Sequence, residues 1–434
     1  MKVVNKQGKL AALALALGFV VCANPSGAWA DSTGDTDRMK RTFSNGVVAI
    51  SEGNFDIAGC SAYQNFTAPM AMLYMRGQTP WSEAPFHTVE AAEEQANAMN
   101  PGNAENKDKS FWASPYYMSF VGRSNAETTA VKADDFKMKR VGFMGGVEKN
   151  FTARTKAGFF MGYSRVEMTQ AYYVHSHYKE DTGRDFDIVN HRFDPEIDAV
   201  DFTFGGSLAH TFANEWTVNT ILIGGAQNYA WSRLASVDVV RNNGEVDVPQ
   251  NYAELYQGGT TGNTLSVNVE LSKNYAMGAG WTLTPALGIE SAHSWIWQGE
   301  ESGGDDAAPS ELRSLGCDED WSRWGLDDDV VLSRTTGRVG ATLAYADENW
   351  GFNGKAFYGT VLGDQARYGA QKDGVSFSSN EVGVGYGNDT LKLGGGLWMA
   401  LNQEKTTTIG GSYEAVLYKR ATSQLACGTF ITRF

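Results

Sequence analysis

Trp281-Thr282-Leu283-Thr284-Pro285-Ala286-Leu287-Gly288-Ile289-Glu290 is the stretch that decides the fold class. Apolar residues at 281, 283, 285, 287 and 289 alternate with small or polar residues. That is the period of a β-strand with two unlike faces. The pattern recurs. Leu265, Val267, Val269 and Leu271 alternate with Ser266, Asn268, Glu270 and Ser272. Val200, Phe202, Phe204 and Leu208 alternate with Asp201, Thr203, Gly205 and Ala209. Val339, Ala341, Leu343 and Tyr345 alternate with Arg338, Gly340, Thr342 and Ala344.

A soluble sandwich and a membrane barrel both give this alternation. Strand length separates them. The runs from Trp216 to Trp231 and from Trp281 to Trp295 proceed without a break for about 15 residues, roughly 46–50 Å at the rise of a strand. Soluble strands usually run only about 3–10 residues. Tilted by about 40°, these runs rise roughly 35–38 Å, enough for a lipid-facing band of about 25 Å and an aromatic girdle at each edge. Trp216, Trp281 and Trp350 each open a strand directly after a tight turn, which sets them at one membrane level. Trp231, Trp295 and Trp297 fall near the opposite ends and are assigned to the other girdle.

Short turns alternate with long polar segments near 169–196, 234–261 and 298–331, as in barrels with periplasmic turns and extracellular loops. Twelve strands are expected, near 111–123, 136–149, 155–168, 197–212, 216–232, 263–275, 281–297, 333–346, 350–362, 389–402, 407–419 and 423–434. Val375 to Asn388 also has strand character and is placed in a loop or in an extension of the tenth strand. Arg140, Glu148, Glu270, Glu290 and Arg338 share the phase of the polar faces, so they are expected to point into a lumen, since charge facing lipid is costly.

The composition agrees. The chain has 434 residues, 49 of them glycine and only 10 proline, with 12% aromatics, which favours many strands over helical folds. Lys2, Lys6 and Lys9, the apolar run Leu10 to Val21 and Ala28-Trp29-Ala30 read as a secretory signal peptide over residues 1–30, implying the Sec export machinery. Its removal takes the formal charge from −14 to −17, which argues against nucleic acid as a partner. The remaining Cys60, Cys317 and Cys427 are odd in number and form no complete disulfide framework. At the other end, Phe434 and Phe430 lie on one face of the last strand, with Gly428 nearby. They are taken as the signal read by the barrel-assembly machinery, although Thr432 stands where a second aromatic is usual.

These features together resemble the translocator β-domain of autotransporters over about 111–434. The resemblance rests on Phe111-Trp112-Ala113, Val141-Gly142-Phe143 with Gly145-Gly146, Gly158 to Ser164, Arg338 to Leu343 and the final Phe434. It implies an all-β, twelve-stranded, transmembrane antiparallel barrel in the outer membrane of a Gram-negative-type bacterium. It further implies an N-terminal segment that crosses the pore as a helix. Here residues 31–110 form a short passenger or plug without internal repeats. The helix formers from Glu90 to Met99 mark a helix near 88–99, closed by Asn100-Pro101-Gly102, that sits in the pore or in the periplasm.

Two loops carry candidate chemistry. His175, His177, His191 and Asp194 share one, and a solvated surface is the plainer reading of them. Residues 298–331 hold eleven acids against Arg313 and Arg323, which reads as a repulsive, solvated loop. No catalytic, cofactor or metal-binding set is assigned. The expected protein is a monomeric, non-enzymatic barrel with outer-membrane lipid as its main partner. It anchors or translocates its N-terminal segment and displays acidic loops. A diffusion pore is the first alternative and a barrel hydrolase using loop residues the second.

Overall fold

A computed structural model describes residues 108–122, 131–133, 135–169, 172–179, 185–241, 250–297, 299–303, 325–326, 330–372, 375–379 and 388–434. Twelve long strands form the wall: β1 (Lys109–Gly122), β2 (Phe136–Thr152), β3 (Thr155–Thr169), β4 (Asp185–Thr211), β5 (Trp216–Arg241), β6 (Gln250–Lys273), β7 (Trp281–Ile296), β8 (Val330–Ala346), β9 (Trp350–Lys372), β10 (Asp389–Ala400), β11 (Thr407–Tyr418) and β12 (Ala421–Arg433). Each pairs antiparallel with its sequence neighbours. β1 then closes on β12, from Ser110 opposite Arg433 to Gly122 opposite Ala421. Closure pairs each of the twelve long strands on both sides, so among the described residues the barrel wall has no open edge, the condition for spanning a bilayer with strands.

The faces are inverted relative to a soluble protein. Phe143, Met161 and Phe202 are 53%, 61% and 58% exposed on the outer face, and Leu287, Val339 and Leu397 join them. Arg140 and Asp201, 0% and 1% exposed, point inward. A sandwich would bury the first set and wet the second.

Turn chemistry closes one end of the barrel. Glu215 adopts a positive φ of 67°, and its amide donates to the Phe212 carbonyl at 3.0 Å, bringing Trp216 back to pair with Phe212. Between β6 and β7, Gly278 and Gly280 have φ of 87° and 83°. Gly280 is also sterically required, because a Cβ there would lie 2.5 Å from the Ala346 carbonyl oxygen. The Asn402 side chain accepts from the amides of Thr406 and Thr407 at 3.0 Å and shapes the β10–β11 turn.

At the other end several strands run farther than their sequence suggests. β4 begins at Asp185 rather than near 197, β5 continues to Arg241, and β6 begins at Gln250 rather than near 263. The polar segments assigned to loops over 169–196 and 234–261 are therefore largely paired strand. Their alternation persists in Phe186-Asp187-Ile188 and Val237-Asp238-Val239, and above a membrane pairing still satisfies backbone groups. Val375–Ser379 is a short strand on the upper part of β9, with Tyr368 opposite Ser379. Within 298–331, Gly299–Gly303 and Gly325–Leu326 are short strands, while residues 304–324, which hold Cys317, lie outside the described residues. So do residues 1–107, and with them the expected signal peptide, the helix near 88–99 and Cys60.

Candidate functional site

The inward face carries a polar belt that crosses the wall from β1 to β7. The Arg140 guanidinium on β2 donates from Nε to Ser164 Oγ on β3 at 2.8 Å and from Nη2 to Asp201 Oδ2 on β4. It also lies 5.9 Å from the centre of the Tyr116 ring on β1. Asp201 receives Gln227 Nε2 from β5 at 2.9 Å and Thr203 Oγ1 at 3.2 Å. Gln227 Oε1 in turn accepts from Thr264 on β6 at 3.4 Å, and Thr264 meets Ser294 on β7 at 3.0 Å. Each member stands one strand from the next, so the belt exists only because the barrel register aligns them.

Three further charge groups line the lumen. Arg338 Nη2 donates to Glu270 Oε2 at 2.7 Å. Lys355 and Lys392 approach Glu414 Oε2 at 2.9 and 3.2 Å. Lys156 lies 3.3 Å from Glu148, which also receives Ser110 Oγ at 3.4 Å. Glycine makes room for these long side chains. A Cβ on Gly394 would meet Lys355 Cε at 3.0 Å and Glu414 Cγ at 3.3 Å, and one on Gly288 would meet Arg338 Nε at 3.0 Å.

The autotransporter beta-domain family model matches residues 112–414. The chain belongs to the autotransporter β-domain family. It is therefore an outer-membrane barrel of the translocator type, the kind that serves type V secretion in Gram-negative bacteria. The translocator domain of the autotransporter NalP from Neisseria meningitidis has the same fold. It is 12% identical, the match covers 82% of this chain and 98% of that one, and the TM-score is 0.53. The beta domain of the Bordetella autotransporter Brka is 14% identical over 75% of this chain and all of that one, with a TM-score of 0.40. The transport unit of the autotransporter AIDA-I from Escherichia coli is 9% identical over 80% and 98%, with a TM-score of 0.37. No curated protein matches the chain in sequence.

In this translocator barrel, Arg140, Glu148, Glu270, Glu290 and Arg338 all stand on the inward-facing phase of their strands. Asp201, Lys156, Lys355, Lys392 and Glu414 belong with them and were not singled out from sequence. For Asp201 and Lys392 the signal was a charged residue lodged between large apolar neighbours, as in Val200-Asp201-Phe202 and Leu391-Lys392-Leu393.

The outer face at the periplasmic end carries an aromatic cluster. Trp281 lies 5.2 Å from Tyr345 and 5.5 Å from Phe352, and Trp350 lies 5.3 Å from Tyr345. Trp216, on the outward phase of β5, opens its strand at the same end. At the extracellular end, Trp295 stacks on His293 at 6.2 Å, and Trp297 is exposed just past β7. Trp231 is a correction. It shares the inward phase of Gln227 and Tyr229, and a Cβ on Gly258 would strike its ring at 2.3 Å. It is 15 residues from Trp216, an odd separation, and a period of two puts the pair on opposite faces. On β12, Phe430 and Gly428 take the outward phase, Phe434 is exposed beyond them, and Gly428 accepts a hydrogen bond from Ser114 Oγ at 2.7 Å.

His175 and His177 lie on Tyr172–Lys179, a short strand paired with the upper part of β4. The register separates His191 from them, because His191 stands opposite Val174.

Proposed function

We propose that the lumen grips part of residues 31–107 and so anchors a short N-terminal segment, while the long loops are displayed outside the cell. The carrying observation is burial without width to explain it. Eight strands enclose a space their own side chains fill, whereas twelve enclose more. Yet Arg140, Lys355, Lys392 and Glu414 on the inner wall are nearly inaccessible. An occupant would account for that. The best candidate is the helix expected near 88–99. At 1.5 Å per residue its twelve residues span about 18 Å of the roughly 25 Å band. Its Glu90, Glu93 and Glu94 are opposite in charge to Lys355 and Lys392 on the inner wall.

Residues 1–30 act in this reading as the export signal, and Phe430 and Phe434 as the assembly signal. The protein works as a monomer. Translocator domains of this family are barrels rather than enzymes, and no catalytic role is proposed. Planar-bilayer conductance of the full chain and of a variant lacking residues 31–107 tests the reading. Release of a plug predicts a small conductance that rises several-fold on deletion. A large, steady conductance unchanged by deletion would make the protein a diffusion pore instead.

A further inference from the structure

The outward row of β2 reads Lys137, Lys139, Val141, Phe143, Gly145, Val147, Lys149 and Phe151, because alternate residues of a strand share a face. Lys139 and Lys149 bracket its apolar stretch. They are about 33 Å apart along the strand and, at a tilt of about 40°, about 25 Å apart in height, which is the thickness of a barrel's apolar band. Lys149, close to the β2–β3 turn, therefore marks the periplasmic interface. Across the ladder it stands directly opposite Lys109 on β1. The Asn150 amide donates to the Asp108 carbonyl at 2.7 Å, so 108 and 150 form a hydrogen-bonded pair. The next pair, Lys109 and Lys149, is then of the non-hydrogen-bonded kind, whose α-carbons lie about 4.5 Å apart and whose side chains come closer. Both lysines are exposed and share the outward phase of Phe111 and Val147. Like charges directly opposite each other in a sheet are destabilising. Among the described residues neither ammonium has a carboxylate partner, and Glu148 points inward and pairs with Lys156 at 3.3 Å. The β2–β3 turn adds Arg154, also exposed.

We infer that Lys109 and Lys149 hold the phosphate of an anionic phospholipid in the periplasmic leaflet of the outer membrane. A phosphodiester between the two ammonium groups turns their repulsion into two charge-assisted hydrogen bonds. The occupant is a lipid rather than a free anion, because the pair faces the bilayer at the edge of its apolar band. On the membrane side of the pair, acyl chains meet the exposed Phe111, Val147 and Phe159, the last directly opposite Val147. On the aqueous side, the Phe151 ring centre lies 5.4 Å from the Lys149 ammonium and holds it at headgroup level. A lipid with net negative charge is favoured over a zwitterionic one, because the lysines and Arg154 repel a headgroup ammonium. The site is on the outer wall and is independent of what fills the lumen.

The test is native mass spectrometry of the folded full-length barrel, released from detergent micelles carrying either dioleoylphosphatidylglycerol or dioleoylphosphatidylcholine. The gel shift on heating confirms that each variant is folded. Each basic residue at a membrane surface contributes about fivefold in affinity for anionic lipid, so two lysines predict a preference of about 25-fold for phosphatidylglycerol in wild type. Lys109→Gln/Lys149→Gln should lose most of that preference, and Lys109→Arg/Lys149→Arg should keep it. Lys137→Gln/Lys139→Gln, at the other interface, should leave it unchanged, because Lys139 stands opposite Glu167 rather than a second cation. Millimolar inorganic phosphate should not displace the lipid. Equal retention of the two lipids by wild type would overturn the site. So would a preference that survives Lys109→Gln/Lys149→Gln, an equal loss in Lys137→Gln/Lys139→Gln, or displacement by inorganic phosphate.

Discussion

Replacing Asp201 with alanine removes the carboxylate at the centre of the lumen belt. Asp201 is 1% exposed and receives Arg140, Gln227 at 2.9 Å and Thr203 at 3.2 Å. Without it, the fully buried Arg140 guanidinium keeps Ser164 but loses the Asp201 carboxylate. Breaking a buried ion pair by removing one partner costs about 3–5 kcal/mol, because the other charge stays desolvated. Removing both partners is much cheaper, so Arg140→Met/Asp201→Leu should cost about 1 kcal/mol or less. Asp201→Asn, which keeps the shape but not the charge, should fall between the two. The assay is urea unfolding of the barrel in lipid vesicles, followed by tryptophan fluorescence and by the gel shift of unheated samples. The reasoning fails if Asp201→Ala costs less than about 1 kcal/mol. It also fails if the double variant loses the sum of the single losses, since independent sites would then be indicated.

Other consequences follow from the same geometry. Val339→Arg, on the outward face of β8 six residues from Tyr345, should cost about 2–4 kcal/mol near the bilayer midplane, against about 0–1 kcal/mol for a new arginine at an interface, measured by the same unfolding assay. Gly280→Val should slow membrane insertion and destabilise by about 1–3 kcal/mol, because valine is strained at φ 83° and its Cβ meets the Ala346 carbonyl oxygen. Insertion into vesicles, timed by the gel shift, reads this out, and Gly278→Ala, with open space around its Cβ position, should cost less. Glu414→Gln leaves Lys355 and Lys392 without their shared carboxylate and should lower stability by about 1.5–3 kcal/mol. Lys355→Met in the same chain should restore part of that loss.

The alternation in Trp281 to Glu290 carried most of the fold. Period two reports which face a residue takes, and the turns before Trp216, Trp281 and Trp350 fix where strands restart. The upper ends of β4, β5 and β6 were less legible. Above the lipid no face must be apolar, so a paired strand and a polar loop have similar composition there. Trp231 was readable, since its odd spacing from Trp216 already puts it on the lumen face. The belt from Arg140 to Ser294 was not, because its members join through the register of six successive strands. The same holds for Lys109 and Lys149, which only the pairing of β1 with β2 sets opposite each other.

The most direct test of the barrel is a nitroxide scan along β4 and β8 in lipid vesicles, in a background with Cys60, Cys317 and Cys427 replaced by serine. Labels at 202, 204, 339 and 343 should relax strongly with oxygen dissolved in the bilayer and weakly with a water-soluble nickel chelate. Labels at 201, 203, 338 and 340 should escape the lipid-phase relaxer. An accessibility that alternates with a period of two in that phase is the predicted result. The opposite phase, or no alternation, would contradict a lipid-facing barrel.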